Sequence, residues 1–445
     1  MSEFAENIEL PVAYLKSLIL KDVRGFKDQH YISFFNDDKK TSQWTVILGN
    51  NNTGKTTILK CIADIYVKTE KNNYNFEETE LIEKTDEDFY TLNKSINPIK
   101  LINSEHDDGK YHIDIHTIGL FKHSLIFTST KTNFLGTMSG INTGSSVKVG
   151  HPHIRKIFLQ GYSTLRKMSE SSLSEQENTE TVQSFFSNNF ELINVEEWLL
   201  QINYASKNDD SSKADRQRAK DIEKKVKEVI TGDILPDIKD FRFRSTSDFK
   251  NYIEFQTDYG WIRLKDLGYG YQATLAWVMD LAKRMFDRYP TSVNPLAEPA
   301  VVLVDEIDLH LHPEWQRKII SYLSNIFKNT QFIVTAHSPL IIQSAENVNL
   351  VMLEKDGDHI NIRQQFGSFK GWTVDEILDE LMGMNDKTMS DTYLELMKNF
   401  DDALDEDNYE KAQKAYEGLD KILHPSSSQR KILRIQMSSL APVEA

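Results

Sequence analysis

The chain has 445 residues, a formal charge of −15, 39% apolar and 27% charged residues, and one cysteine, Cys61. Such a chain can bury a sizeable core over two or three domains, and the lone cysteine excludes a disulfide framework or a cysteine-based zinc site. The acidic balance argues against coating nucleic acid through bulk charge, and neither an apolar run of about 18 to 20 residues nor a signal-peptide pattern is visible, so a cytoplasmic protein that does not engage a membrane is expected.

Residues 14–35 alternate apolar and polar and predict two strands with a turn at Arg24-Gly25. A buried strand over 44–48 leads into GNNNTGKTT and an apolar helix. Residues 67–110 are polar and acid-rich; YHIDIHTI and SLIFTST then predict strands. Two stretches, 169–181 and 206–216, have the composition of loops or disorder, and helices are expected over 195–202 and 214–230. No heptad pattern persists between Lys55 and Gly268, which excludes a long coiled-coil arm.

The next block alternates WIRL, a helix over 271–288, AVVLVD, the helix PEWQRKIISYLSNIF, QFIVTA and the helix PLIIQSA. That alternation predicts a parallel sheet with covering helices. A hairpin, VMLEKDGDHINIR, follows. The tail opens on a capping box, Thr373-x-x-Glu376, and predicts further helices over 391–404 and 409–423, with His424-Pro425 as the stop. The expected division is an N-terminal part over 1–168 that carries GNNNTGKTT, a helical insertion with disordered loops over 169–235, a C-terminal part over 236–366, and an all-helical tail over 367–445 as the candidate docking region.

Gly49, Asn50, Asn51, Asn52, Thr53, Gly54, Lys55, Thr56 and Thr57 fit a phosphate-binding loop between strand and helix. Such a loop needs residues that tolerate positive φ, so that successive N–H groups converge on phosphate oxygens. Lys55 is expected on the β- and γ-phosphates of ATP and Thr56 on Mg²⁺. The strand 301–304 ends in Asp305 and Glu306, the pair that such a site needs: Asp305 for the Mg²⁺ shell, Glu306 for the attacking water. A third buried strand ends beside them at His337, placed to sense the γ-phosphate. Gly268, Tyr269, Gly270, Tyr271 and Gln272 open an apolar helix, whose N-terminus is expected to hold the γ-phosphate of a nucleotide bound by another copy. His310 and His312 lack the further ligand that a metal site would need.

The order of phosphate loop, LGYGYQ, VVLVDEIDLHLHP and FIVTAHSP resembles the ABC-type ATPases of the RecF, SMC and OLD group over most of residues 14–363. The resemblance implies an α/β fold: an ABC-type P-loop ATPase head with a mostly parallel sheet, a helical insertion and a C-terminal all-helical appendage. It implies an ATP-sandwiched dimer or larger homo-oligomer, Asp308 at the start of a D-loop that crosses to the partner, and Gln160 in IFLQGYSTLR as a Q-loop glutamine on Mg²⁺. One departure is that Gly268 stands where the group carries a signature serine, which predicts slow turnover.

The tail motif GWTVDEILDELMG extends the resemblance to the PtuA family, the ATPase subunits of Septu anti-phage systems, and to retron-associated ATPases. That implies a regulator of a separate HNH nuclease subunit of the PtuB kind. The alternative is a RecF-like ATPase that clamps DNA directly, with Arg155, Lys156, Arg166 and Lys167 as candidate contacts. An OLD-type nuclease would need an added acidic metal domain, whereas Asp401, Asp402, Asp405, Glu406 and Asp407 fall on a solvated helical segment. A transporter cassette is disfavoured by NNNTGK and DLHLHP.

Overall fold

The computed structural model describes residues 12–21, 23–36, 41–71, 92–96, 110–118, 125–127, 158–173, 181–232, 235, 237–384 and 389–440. It divides into two compact units, Met1–Trp372 and Thr373–Ala445.

In chain order the first unit begins with β1 (Val12–Lys21), β2 (His30–Ser33), β3 (Trp44–Gly49), α1 (Lys55–Lys71), β4 (Leu92–Ile96), β5 (Lys110–Ile118), β6 (Leu125–Phe127) and β7 (Leu159–Tyr162). Then come α2 (Val195–Lys207), α3 (Lys213–Ile230), β8 (Asp240–Ser245), β9 (Asn251–Thr257), β10 (Gly260–Arg263), α4 (Tyr269–Arg288) and β11 (Ala300–Val304). It closes with α5 (Pro313–Gln316), α6 (Ile319–Ile326), β12 (Thr330–Thr335), α7 (Pro339–Gln343), β13 (Val348–Asp356) and β14 (His359–Gly367).

The central sheet runs β14-β13-β3-β12-β11-β7. Neighbours from β13 to β7 are parallel, and β14 is an antiparallel edge. Strands β11 and β12 are buried from end to end, which is why AVVLV and QFIVT are continuous apolar runs rather than alternating ones. Trp44 stacks on Phe332 across β3 and β12, ring centroids 4.3 Å apart. Phe26, Ile47, Ile58, Leu303, Ile333 and Val351 belong to the core cluster that seats this sheet. The expected mostly parallel α/β sheet is thus present.

A second sheet, β2-β1-β5-β4-β6, carries the N-terminal hairpin, whose turn puts Arg24 at φ 53°. Buried polar side chains join it to the central sheet. Gln331 accepts from the Leu15 N–H and donates to its carbonyl (2.9 and 2.8 Å), and Asn349 donates to the Ser33 carbonyl at 2.7 Å. Satisfied in this way, such groups fix the sheets' mutual register rather than cost stability.

Three features differ from expectation. WIRL is the last strand of an antiparallel sheet, β10-β9-β8, whose first two strands DFRFRS and NYIEFQT were not anticipated. The stretch 206–216 is mostly helix: α2 runs to Lys207 and α3 starts at Lys213, where the Ser212 side chain accepts from the Asp215 N–H. The polar composition there serves capping, not disorder. The helix expected from Pro313 onward breaks into α5 and α6. Residues 174–180 of the first expected loop, and 72–91 and 97–109 of the acid-rich stretch, lie outside the described residues.

The second unit has α8 (Val374–Glu380), with the anticipated Thr373/Glu376 capping box, then α9 (Asp391–Asp405), α10 (Tyr409–Ile422) and α11 (Ser428–Leu440). Phe400, Leu419 and Leu433, one from each of α9 to α11, are buried together. No reading of the sequence anticipated α11: the stop at His424-Pro425 ends α10, but the chain turns and resumes a helix three residues later. Among the described residues no helix is long and apolar enough to cross a membrane.

Candidate active site

The phosphate loop forms because β3 ends in a glycine that nothing else could replace. Gly49 has φ 150°, and a Cβ there would meet the Leu353 carbonyl and the Thr53 hydroxyl. Asn52 and Gly54 also take positive φ, 64° and 91°, and a Cβ on Gly54 would strike the Phe26 ring. Asparagine tolerates the left-handed region, so Asn52 lets the loop close where glycine is more usual. Lys55 folds back over the loop and donates to the carbonyls of Gly49 and Asn50 at 2.7 and 2.9 Å. Burial lowers its pKa, while Asp305, Glu306 and Asp308 pull the other way.

Asp305 follows β11 at the same sheet edge. Its Oδ2 accepts from the Thr56 hydroxyl at 2.8 Å and its Oδ1 from the Thr335 hydroxyl at 2.7 Å. The Thr335 oxygen in turn accepts from the Glu306 N–H at 2.6 Å. Glu306 itself is left-handed, φ 49°. Glu306, His337, Lys55 and Thr56 face one open cleft of about 740 Å³. The Asp308 carboxylate accepts from the His337 backbone N–H at 3.1 and 3.3 Å, which ties the start of the 308–312 turn to the end of β12. Thr56 and Asp305 supply one hydroxyl and one carboxylate oxygen. That suits Mg²⁺, which keeps waters and takes phosphate oxygens for its remaining positions. Among the described residues no group of three His, Cys, Asp or Glu could hold a metal by itself.

Gly268–Gln272 lies elsewhere. Gly268 is the N-cap of α4 with no side-chain cap, so the helix opens with free donors. Gly270 abuts the His310 carbonyl so closely that a Cβ could not fit. Tyr269 meets the His310 ring edge-on at 4.8 Å, and Tyr271 meets Trp315 at 4.4 Å. The signature segment and the 308–312 turn therefore form one surface within a single copy. His312 caps α5, its Nδ1 accepting from the Glu314 N–H.

Gln160 is not brought to Thr56 and Asp305. It pairs with Val302 in the middle of the β7–β11 ladder, and its Oε1 accepts from Thr181 at 2.8 Å in a buried position. The strand register, which places Tyr162 rather than Gln160 opposite Val304, decides against a metal contact.

Two contributions were missed. Arg166, named from the sequence as a candidate DNA contact, is buried, and one Nη donates to the carbonyls of both Asp305 and Glu306 (2.6 Å to the latter). Burial lowers its pKa to about 10, opposed by Asp305, Asp308 and Glu306, so it stays charged at neutral pH. The signal was topological: whatever follows a strand parallel to β11 arrives beside Asp305. The other contribution comes from Arg24 and the β13–β14 turn with Lys355 and His359, which line the same cleft. Arg24 donates to the Thr57 hydroxyl at 3.0 Å.

A family model described as "AAA domain, putative AbiEii toxin, Type IV TA system" matches residues 44–343. Septu protein PtuA of Bacillus thuringiensis is 37% identical over 209 residues, covering 45% of this chain and 52% of that protein. Septu protein PtuA of Bacillus mycoides is 28% identical over 376 residues, covering 83% of this chain and 44% of that protein. The retron Vc95 probable ATPase of Vibrio cholerae is 27% identical over 402 residues, covering 77% and 73% respectively. The chain thus spans about half the length of these two PtuA relatives.

Proposed function

The chain belongs to the AAA-domain family whose model covers residues 44–343, and from that premise we propose that it is an ATP-binding, slowly hydrolysing ATPase subunit of an anti-phage defence system. In this reading Gly49–Thr57 cradles the phosphates of ATP, Lys55 swings from the Gly49 and Asn50 carbonyls onto the β- and γ-phosphates, and Thr56 and Asp305 hold Mg²⁺. Bound there, Mg²⁺ would neutralise charge developing on the phosphates. Glu306 accepts a proton from the attacking water, and His337, which lines the same cleft, donates to the γ-phosphate.

The observation that carries the reading is the convergence of Lys55, Thr56, Asp305, Glu306 and His337 from three parallel strands on one cleft. A second copy would close it. The signature surface Gly268–Gln272, fused to the 308–312 turn, faces no part of its own cleft and suits the γ-phosphate of a partner's ATP. Asp308 would cross with it. Gly268 offers an N–H but no hydroxyl, which favours binding and pairing over fast turnover.

The partner in this reading is a separate HNH nuclease subunit, with the 373–445 helical unit as its docking region. Names of the relatives, Septu and retron, support the defence setting. Direct DNA clamping has less to stand on, since Arg166 is buried and Lys167 pairs with Glu191, while Arg155 and Lys156 lie outside the described residues. The test is plasmid cleavage by the purified chain with Mg²⁺, with and without ATP, beside phosphate release in the same tubes. The reading expects ATP hydrolysis that Lys55→Ala abolishes, and no cleavage. Reproducible cleavage, lost on truncation before Thr373, would overturn the regulator reading.

A further inference from the structure

Arg166 is used by nothing in the reading above, yet it is a buried cation bonded to the backbone of both acidic residues that follow β11. Its Nη donates to the carbonyls of both Asp305 and Glu306. Those two peptides hold the carboxylates in place, and the second is in the left-handed region, φ 49°, which a glutamate adopts only when its surroundings force it. Two groups supply that force. Thr335 takes the Glu306 N–H from one side, and Arg166 takes the carbonyls from the other.

The guanidinium also lies 5.9 Å from the ring centre of Trp277, a buried residue of α4. Trp277 in turn packs at 5.6 Å on Tyr162, whose hydroxyl donates to the buried Asp280 of the same helix at 3.0 Å. Arg166 thus bonds the Asp305–Glu306 backbone and at the same time lies over the ring of Trp277 in α4, the helix capped by Gly268. Its Nε is buried without an acceptor among the described residues. An arginine kept for stability alone would not leave a donor so exposed to desolvation cost, and such lapses in satisfaction concentrate at functional positions.

We propose that Arg166 is a positioning residue for hydrolysis: it fixes the left-handed Glu306 peptide, and through Trp277 it makes that geometry answer to α4, whose N-terminus a partner's ATP would engage. This rests on the ATPase reading. It predicts that turnover, not nucleotide binding, depends on the guanidinium. Arg166→Met keeps the bulk and the contact with Trp277 but has no donor; Arg166→Lys keeps a charge that can reach one carbonyl at a time.

The test uses the full chain and three readouts: ATP affinity, kcat, and hydrogen–deuterium exchange of peptides spanning 300–312. Arg166→Met should lower kcat about 30-fold or more, with Kd for ATP within about threefold of the parent. Arg166→Lys should recover part of the loss. The penalties of Arg166→Met and Glu306→Gln should not multiply, because one acts through the other. Exchange should quicken over 305–311 and stay unchanged over 44–60. The proposal is overturned if folded Arg166→Met turns over within about twofold of the parent, if kcat and affinity fall by equal factors, or if exchange at 305–311 does not change. The exchange result stands even if the parent chain hydrolyses no ATP, an outcome that would sink the ATPase reading instead.

Discussion

The Thr56 hydroxyl lies 2.8 Å from Asp305 Oδ2, joining the first turn of α1 to the end of β11 across 249 residues of chain. These two oxygens are where one divalent cation can be shared between the phosphate loop and the strand that brings Glu306.

Asp305→Asn therefore weakens the metal's hold more than the nucleotide's. The Mg²⁺ concentration for half-maximal hydrolysis should rise about 10- to 100-fold, with metal-free ATP binding little changed. Hydrolysis titrated against Mg²⁺ for both proteins checks this. An unshifted curve would remove Asp305 from the metal site.

Lys55 supplies a pH signature. Burial lowers its folded-state pKa, and the phosphates of ATP would raise it again, because they favour the charged form. ATP affinity should then be flat at low pH, where Lys55 is charged with or without ligand. It should fall as pH rises through the lowered value, below the range of a solvated lysine. Lys55→Met should abolish this alkaline limb. Titrations of ATP binding across alkaline pH decide it.

Gly270→Ala probes the signature surface. The new Cβ would press on the His310 carbonyl, a backbone atom that cannot step aside cheaply. Overpacking of this kind costs about 1–3 kcal/mol. ATP binding by a single copy should survive, while ATP-dependent pairing should weaken about tenfold or more. Equal losses of binding and pairing would place Gly268–Gln272 at its own chain's site.

Local pattern made some of this legible and topology hid the rest. Gly49–Thr57 and Val301–Glu306 could be read because strand, turn and helix follow one another within a dozen residues, and their chemistry needs particular residue types. Gln160 and Arg166 were misread because strand pairing decides what they touch. Register with β11 leaves Gln160 on Thr181 in mid-strand, and it carries Arg166 beneath Asp305. Strands β8 and β9 escaped notice because Arg242, Arg244 and Glu254 make them look solvated. On that polar face Arg242 stacks on Trp261 at 4.0 Å and pairs with Glu254. Helix α11 was hidden behind a proline that ends one helix without preventing the next.

The central claim is that ATP, held on one copy by Lys55, Thr56 and Asp305, is closed over by the Gly268–Gln272 surface of another and consumed through Glu306. Sedimentation of Glu306→Gln with and without Mg²⁺-ATP tests it most directly. The account predicts an ATP-dependent gain of at least one further copy in mass, stable for longer than in the parent chain and absent in Lys55→Ala. Saturating ATP bound to Glu306→Gln with no change in mass would contradict it.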